Sequence, residues 1–410
     1  MKKLFAAIAL SAAICAGAAG SPLQDSMLET FIRYARIDSQ SSNDSLMTAG
    51  QHTMALALKA DAEEAIARSA VRGASCILSP ENYLYVKIPA NAAEARPSVG
   101  ISCHLDVTPE APGGDIRPIV DQRDGHTIVR TDGTTLLGAD DKCGCAIAME
   151  LIRTLLADSC FAHGEVMVAF CPNEDVGRAA DNIDSSVFAP DILFDIDGPG
   201  GSGITRSNFT ARGFNVRFIG KDVHPGDAKA LGLGDAVAAA ATFIAAVPVE
   251  YRPENTEGLE GYIHPWGFKQ VEKEQDVTVM TRIRYFDRRE GELFDSIVSA
   301  AIAEVGRKFP NVRSEVIYDD LQYENVAYTL YPGIEDMVRT AARTIGKEIE
   351  FTDERGGTTA AMMAAKGLKG GLCLFSGQNE AHSVREYADL QQMEDAYRLM
   401  EEIIRTIPAQ

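Results

Sequence analysis

Four short apolar runs stand out along the chain, at residues 97–103, 165–171, 191–197 and 371–375. Each has the length and nearly unbroken hydrophobicity of a strand buried on both faces. Each also stops at or shortly before ionisable residues. His104-Leu-Asp106 follows the first, Glu174-Asp175 the second, Asp197 closes the third, and His382 lies just past the fourth. Helical stretches separate the runs, so the pattern predicts an α/β sheet whose candidate ligands collect beyond the carboxyl ends of its strands. Between the first two runs lies Thr131-Asp-Gly-Thr-Thr-Leu-Leu-Gly-Ala-Asp-Asp-Lys-Cys-Gly-Cys145. Asp140 and Asp141 there precede an apolar, helix-forming run through Ile147, Leu151 and Leu155, which reads as a loop, an acidic N-cap and an amphipathic helix.

The remaining pattern fills in around this set. Residues 24–59 read as helical, with a loop rich in Ser, Asn and Asp at 39–45; a helix continues over 60–71, and 82–88 reads as a strand. From about 208 to 322 the texture changes. A half-buried strand is expected at 209–219, an Ala-rich helix at 227–247, strands at 258–268 and 277–286, a helix at 290–308 and a strand at 313–319. That β-α-β-β-α-β order is ferredoxin-like. The expected organisation is therefore one α/β domain from 21–208 and 323–410, interrupted by a small α+β domain at 209–322.

Composition narrows the function. A chain of 410 residues exceeds one ordinary core, and 46% hydrophobic with 24% charged residues is usual for a folded soluble protein. A net charge of −20 argues against nucleic acid and anionic membrane as partners, and suits a metal binder. Lys2 and Lys3 precede an apolar run over 4–18 that ends in Ala16-Gly-Ala18. Residues 1–20 thus read as a secretory signal peptide cleaved near Ala18, giving a secreted or periplasmic protein with no membrane contact after cleavage. Ile14 before Cys15 does not fit a lipobox, which wants a small residue there. The other seven cysteines are scattered and odd in number, so no disulfide framework is expected. Cys103 and Cys171 read as buried small hydrophobes, and Cys143 and Cys145 lack a second matching pair and read as structural.

His104, Asp140, Glu174, Asp175, Asp197 and His382 form an inventory suited to two metal ions bridged by one carboxylate. Imidazole suits zinc, and carboxylates suit zinc, cobalt or manganese. A further carboxylate, close but not ligating, would serve as general base.

These stretches resemble the peptidase T group of the dinuclear zinc metallopeptidase family that includes glutamate carboxypeptidases, aminoacylases and dipeptidases. The matching segments are His104-Leu-Asp106-Val-Thr-Pro, the 131–142 stretch, Pro172-Asn-Glu-Asp-Val-Gly177 and Asp197-Gly198. They continue with His224-Pro-Gly-Asp-Ala-Lys229, Arg252-Pro-Glu-Asn-Thr-Glu-Gly-Leu-Glu-Gly261, Arg355-Gly-Gly-Thr358, and His382 with Glu386-Tyr387. The resemblance spans nearly all of the chain after residue 20. It implies a zinc-exopeptidase-like mixed sheet with helices on both faces, and an insert acting as a lid or dimerisation domain. It implies two divalent ions, zinc or else cobalt or manganese. Asp140 would bridge them; His104 and Asp197 would complete one site, Asp175 and His382 the other. Glu174 would be the general base, with Asp106 polarising and orienting His104. His224 and Arg284 in the insert would contact the substrate and its oxyanion, and Arg355 would pair with a substrate carboxylate.

Three positions depart from the group. Asp175 stands where Glu is usual, one methylene shorter, so that its ion must sit closer to the backbone or bind more weakly. Arg355-Gly-Gly-Thr-Thr-Ala360 replaces Arg-Gly-Gly-Thr-Asp-Gly, and Asn379-Glu-Ala-His382-Ser-Val-Arg385 replaces His-Asn-Phe-His-Gly-x-His. The function implied is a metallo-aminopeptidase releasing N-terminal residues from short peptides such as tripeptides, with a homodimer through the insert possible. The alternatives are a related dipeptidase, carboxypeptidase or N-acyl amino acid hydrolase, or a peptide-binding relative without catalysis.

Overall fold

The computed structural model describes residues 21–271 and 275–409. The secretory signal expected at residues 1–20 lies outside the described residues. The chain opens with α1 (Pro22–Ala35), α2 (Ala49–Arg68), β1 (Ser75–Leu78), β2 (Leu84–Ile88), β3 (Val99–His104), β4 (Ile119–Arg123) and β5 (His126–Arg130). It continues through α3 (Ala139–Ala157), β6 (Val166–Cys171), β7 (Ile192–Pro199) and β8 (Gly203–Asn208). Then come β9 (Thr210–Ile219), α4 (Ala228–Leu231), α5 (Ala236–Ala246), β10 (Tyr262–Val271), β11 (Asp276–Tyr285), α6 (Arg288–Lys308) and β12 (Arg313–Tyr323). The last stretch holds α7 (Ile334–Thr344), β13 (Glu350–Glu354), α8 (Thr359–Ala365), β14 (Gly371–Asn379), β15 (Tyr387–Asp389) and α9 (Leu390–Thr406).

The four apolar runs are β3, β6, β7 and β14, and they lie side by side and parallel in the order β6-β3-β7-β14. Their hydrophobicity is nearly unbroken because both faces are covered; the buried exceptions Ser102 on β3 and Asp195 on β7 bond to each other at 2.7 Å. On β6, Val166, Val168 and Phe170 face one core, with Met27 and Phe31 of α1, Leu58 of α2, Leu151 of α3 and Met400 of α9. Met167, Ala169 and Cys171 face the other, with Ala180, Phe188 and Met363 of α8. This two-residue alternation is the ordinary consequence of the pleat. The flanks of the sheet are antiparallel, β1-β2 on one side and β15-β5-β4 on the other, so the sheet is mixed.

The second sheet runs β10-β11-β9-β12, every pairing antiparallel. In the sequence of its own strands that is 2-3-1-4, the ferredoxin-like order. Val216, Phe218, Val279 and Ile283 pack under Phe243 of α5 and Phe294 and Val298 of α6. The chain enters and leaves this sheet at one buried point. Asn208 N–H donates to Asn325 Oδ1 at 3.1 Å, and Val326 N–H donates to Asn208 Oδ1 at 2.9 Å.

Several expected elements differ in detail. The Ala-rich helix over 227–247 is two pieces, because Gly232 takes a left-handed φ of 68° and closes α4. The helix expected to continue over 60–71 is the second half of α2 and ends at Arg68. The β4–β5 hairpin, turned at Asp124-Gly125, was not expected, nor were the short strands β1, β8 and β13. Among the described residues no helix is long and apolar enough to cross a membrane.

Candidate active site

The carboxyl ends of the parallel strands converge. His104 is the last residue of β3, and register pairs Ser102 with Asp195, which sets His104 beside Asp197 on β7. Asp140 enters from the start of α3, Asp175 from the turn after β6, and His382 from the loop after β14. His104 Nε2 lies 2.8 Å from Asp140 Oδ1 and 3.5 Å from Asp197 Oδ1. His382 Nε2 lies 3.2 Å from Asp140 Oδ2 and 2.9 Å from Asp175 Oδ1. The two oxygens of Asp140 therefore face two different histidines.

Two ligand groups result, His104/Asp140/Asp197 and Asp140/Asp175/His382, each with its donor atoms within 4.8 Å of one another. A third grouping, His104/Asp106/Asp175, meets the same distance. Asp106 is already occupied there: Oδ1 accepts the N–H of Glu174 at 3.0 Å and Oδ2 that of Asp175 at 3.2 Å. Asp175 Oδ2, by contrast, is buried without a hydrogen-bond partner among the described residues. An unpartnered carboxylate oxygen in a set of neutral-capable imidazoles and carboxylates fits divalent cations.

The electrostatics agree with that fit. Burial pushes the carboxyls of Asp197 and Glu174 well above the ordinary range, and neighbouring carboxylates add to it. Burial also lifts Asp175 to about 6. Burial opposes ionisation of Asp140 too, but hydrogen bonds from His104 and His382 hold it well below the usual carboxylate range. Hydrogen bonds to Asp140 and Asp175 raise His382 to about 11. The protein gathers several desolvated negative charges around two imidazoles, an arrangement that calls for added positive charge.

Glu174 is half-buried in the same turn and belongs to none of the ligand groups. The expectation for Asp106 is refined. His104 Nδ1 is 3.2 Å from the Asp106 carbonyl oxygen and 3.5 Å from its carboxylate, whose stronger contacts go to the backbone of Glu174 and Asp175. Asp141, fully buried, accepts the N–H of His104 and that of Gly144, tying α3 to the end of β3. The Asp140–Asp141 peptide is cis. Glu386 received no role from the sequence. It is 1% exposed, and its oxygens accept the N–H groups of Gly138 at 2.7 Å and Asp140 at 3.0 Å. Its signal was its place in the matched segment of His382 with Glu386-Tyr387, to which no role was attached.

The three expected substrate contacts are not gathered with the others. His224 is exposed and its ring partners are Gly226 and Asp227 of its own turn. Arg284 donates to the carbonyls of Arg212 and Ile283 and to Gln322 Oε1, all in the second sheet. Arg355 follows β13 and reaches into the second sheet's approach loop. Its guanidinium donates to the carbonyls of Thr256, Gly258 and Glu260 and to Thr256 Oγ1, and lies 4.8 Å from the centre of the Phe209 ring.

Comparison with known proteins agrees with this geometry. Residues 100–406 match the model of peptidase family M20/M25/M40. The chain is 32% identical to a peptidase T of Escherichia fergusonii over 411 aligned residues, covering 92% of this chain and 97% of that one. In fold it is similar to the aminopeptidase PepT of Bacillus cereus, with a TM-score of 0.75 at 20% identity, covering 94% of this chain and 98% of that one. It is also similar to a Bacillus subtilis protein described as a dinuclear metal-binding peptidase of family M20, with a TM-score of 0.63 at 13% identity, covering 93% and 98%. The convergent His and carboxylate set, the mixed sheet and the match over most of the length agree: the chain belongs to peptidase family M20/M25/M40 and is a peptide hydrolase.

Proposed function

We propose that the protein is a dinuclear metal-dependent aminopeptidase that releases N-terminal residues from short peptides, tripeptides among them. One observation carries the reading: Asp140 offers one oxygen to each of two histidine-centred ligand groups, and Glu174 stands beside them unliganded. His104, Asp140 and Asp197 would hold one ion; Asp140, Asp175 and His382 the other. Zinc suits this donor set, with cobalt or manganese as substitutes. Bound ions would supply Lewis acidity toward the scissile carbonyl and acidify a bound water. Glu174 takes the proton of the attacking water and returns it to the leaving amine as the C–N bond breaks. Its desolvated carboxyl, raised well above the ordinary carboxylate range by burial, suits a group that must both accept and release that proton. Asp106 holds the Glu174 backbone, and Glu386 holds the loop that aims Asp140.

Residues 21–208 and 323–410 would form the catalytic domain and 209–322 the lid, where His224 and Arg284 would reach substrate once the lid closes. Arg355 would pair with a substrate carboxylate on release from its loop carbonyls. The exposed edge strand β12, which presents Val316, Ile317, Tyr318 and Leu321, supports pairing with a second copy of the chain. The leader-like residues 1–20 support export.

The test is amino-acid release from di-, tri- and tetrapeptides with free or blocked N-termini, as metal is titrated into chelated protein. Turnover of free-N-terminus tripeptides that peaks near two ions per chain is expected. Equal cleavage of blocked peptides would move the assignment to an acyl-amino-acid hydrolase, and tight binding without turnover would overturn catalysis.

A further inference from the structure

The turn that carries Glu174 has its three leading N–H groups held by side chains from other elements. Glu174 and Asp175 are held by Asp106, and Asn173 N–H donates to Gln51 Oε1 at 3.1 Å. Gln51 returns the contact: its Nε2 donates to Asn173 Oδ1 at 3.0 Å. Both side chains are buried, Gln51 fully and Asn173 to 4% exposure. Asn173 needs this support because its backbone is left-handed, with φ at 61°. Asparagine tolerates that region better than most residues, yet it remains a minority conformation. The amide of Gln51 supplies an acceptor and a donor from one planar group, which neither a carboxylate nor an apolar side chain of that size can do.

Gln51 is itself anchored. It lies in the first turn of α2, where its N–H donates to the cap oxygen Thr48 Oγ1, and Thr48 Oγ1 donates to the Gln40 carbonyl. The neighbouring Gly50 packs so closely that a Cβ there would meet the Asp38 carbonyl oxygen at 1.9 Å. The start of α2 is therefore packed directly on the Asp38 backbone, and the amide it carries lies 122 residues from the turn it holds.

We infer that Gln51 is a positioning residue for the general base: it fixes Asn173, and through it sets where the Glu174 carboxylate stands. The inference rests on the catalytic reading of Glu174. A Gln51→Met variant keeps the volume and removes both hydrogen bonds. The first readout is amide hydrogen exchange of the 170–178 segment, which is independent of any substrate. Exchange there should quicken about tenfold or more while the global unfolding midpoint and metal content change little. The second is kinetic: kcat on the tripeptide should fall roughly ten- to a hundredfold with KM unchanged, since a misplaced base costs the chemical step and not binding. Asn173→Gly keeps the left-handed backbone but loses the side-chain half of the pair. Asn173 Nδ2 also donates to the Leu46 carbonyl at 2.9 Å, so Asn173→Gly carries a cost of its own, and combined with Gln51→Met the loss should fall short of the sum of the two single losses. Unchanged exchange in the segment, kcat within about twofold of the parent, or a loss that merely tracks lost metal would each overturn the inference. Failure of the catalytic reading is distinguishable, because it shows as undiminished turnover in Glu174→Gln while the exchange result for Gln51 still stands or falls on its own.

Discussion

Gly144 faces the carbonyl oxygen of Ile196 so closely that a Cβ built on it would stand 2.0 Å from that oxygen. The first turn of α3 thereby lies directly on β7, and Asp140 reaches Asp197's neighbourhood only because no side chain intervenes. Asp141 Oδ1 would be 2.4 Å from the same Cβ. Gly144→Ala should therefore shift the helix or break the Asp141 contacts. A loss of about 3 kcal/mol or more is expected by analogy with overpacked cores. Urea unfolding of the chelated protein measures it, and a change below about 0.5 kcal/mol would show that α3 can move freely.

Glu174→Gln keeps the shape of the turn and every backbone hydrogen bond to Asp106. Turnover should fall roughly a hundred- to ten-thousandfold, the usual worth of a positioned general base. Metal content should stay at the parent value, since Glu174 belongs to no ligand group. Turnover and bound metal measured on the same sample separate the two effects.

Removing donors should distinguish the proposed bridging carboxylate from the proposed terminal ligands. His382→Ala strips one donor group and should lower bound metal by about one ion per chain. Asp140→Asn removes a carboxylate common to both groups and should deplete both ions. Elemental analysis after dialysis against a weak chelator reads the stoichiometry; equal losses in the two variants would contradict a bridge.

His163 lies away from this centre, buried against Phe161, with its ring Nδ1 facing the Gly164 carbonyl at 2.6 Å. Burial lowers its pKa below the ordinary imidazole value, although the Gly164 carbonyl pulls the other way. The unfolded chain then binds this proton more readily. The contribution is complete above the unfolded value and is lost as pH falls through the folded one. The stability difference between the parent and His163→Gln should shrink as pH drops from about 7.5 to about 5. A difference that stays constant over that range would mean that His163 keeps its ordinary affinity for protons.

How much of this was legible in the sequence depended on what each residue contacts. His104, Asp175, Asp197 and His382 were legible because each ends or closely follows a nearly unbroken apolar run, and such a run has few structural interpretations. Asp140 was legible from the helix start behind it. The roles of Glu386 and Gln51 were not, because they accept from backbone N–H groups 246 to 248 and 122 residues away, and a backbone N–H leaves no mark in the sequence. The break in the Ala-rich helix had a signal in Gly232-Leu-Gly234, and the β4–β5 turn in Asp124-Gly125, but neither was read from the sequence. The strands β8 and β13 pair with each other beside β14, and they send only isolated apolar residues such as Ile204 and Phe351 to the core, too few to mark an alternating pattern. Arg355 was legible as a cation, but its engagement by three carbonyls was not.

The joined pair Asn208 and Asn325 has a consequence for how this chain can change. A segment that leaves and returns at one buried junction imposes no displacement on what lies before and after it. To the parallel strands, the intervening sheet is a detour of zero net length. Insertions, deletions or wholesale replacement within it can therefore accumulate without altering the spacing of His104, Asp140, Asp197 and His382. On the proposed reading of that sheet as the lid, substrate preference can drift in the detour while the geometry of the proposed ligands is inherited intact.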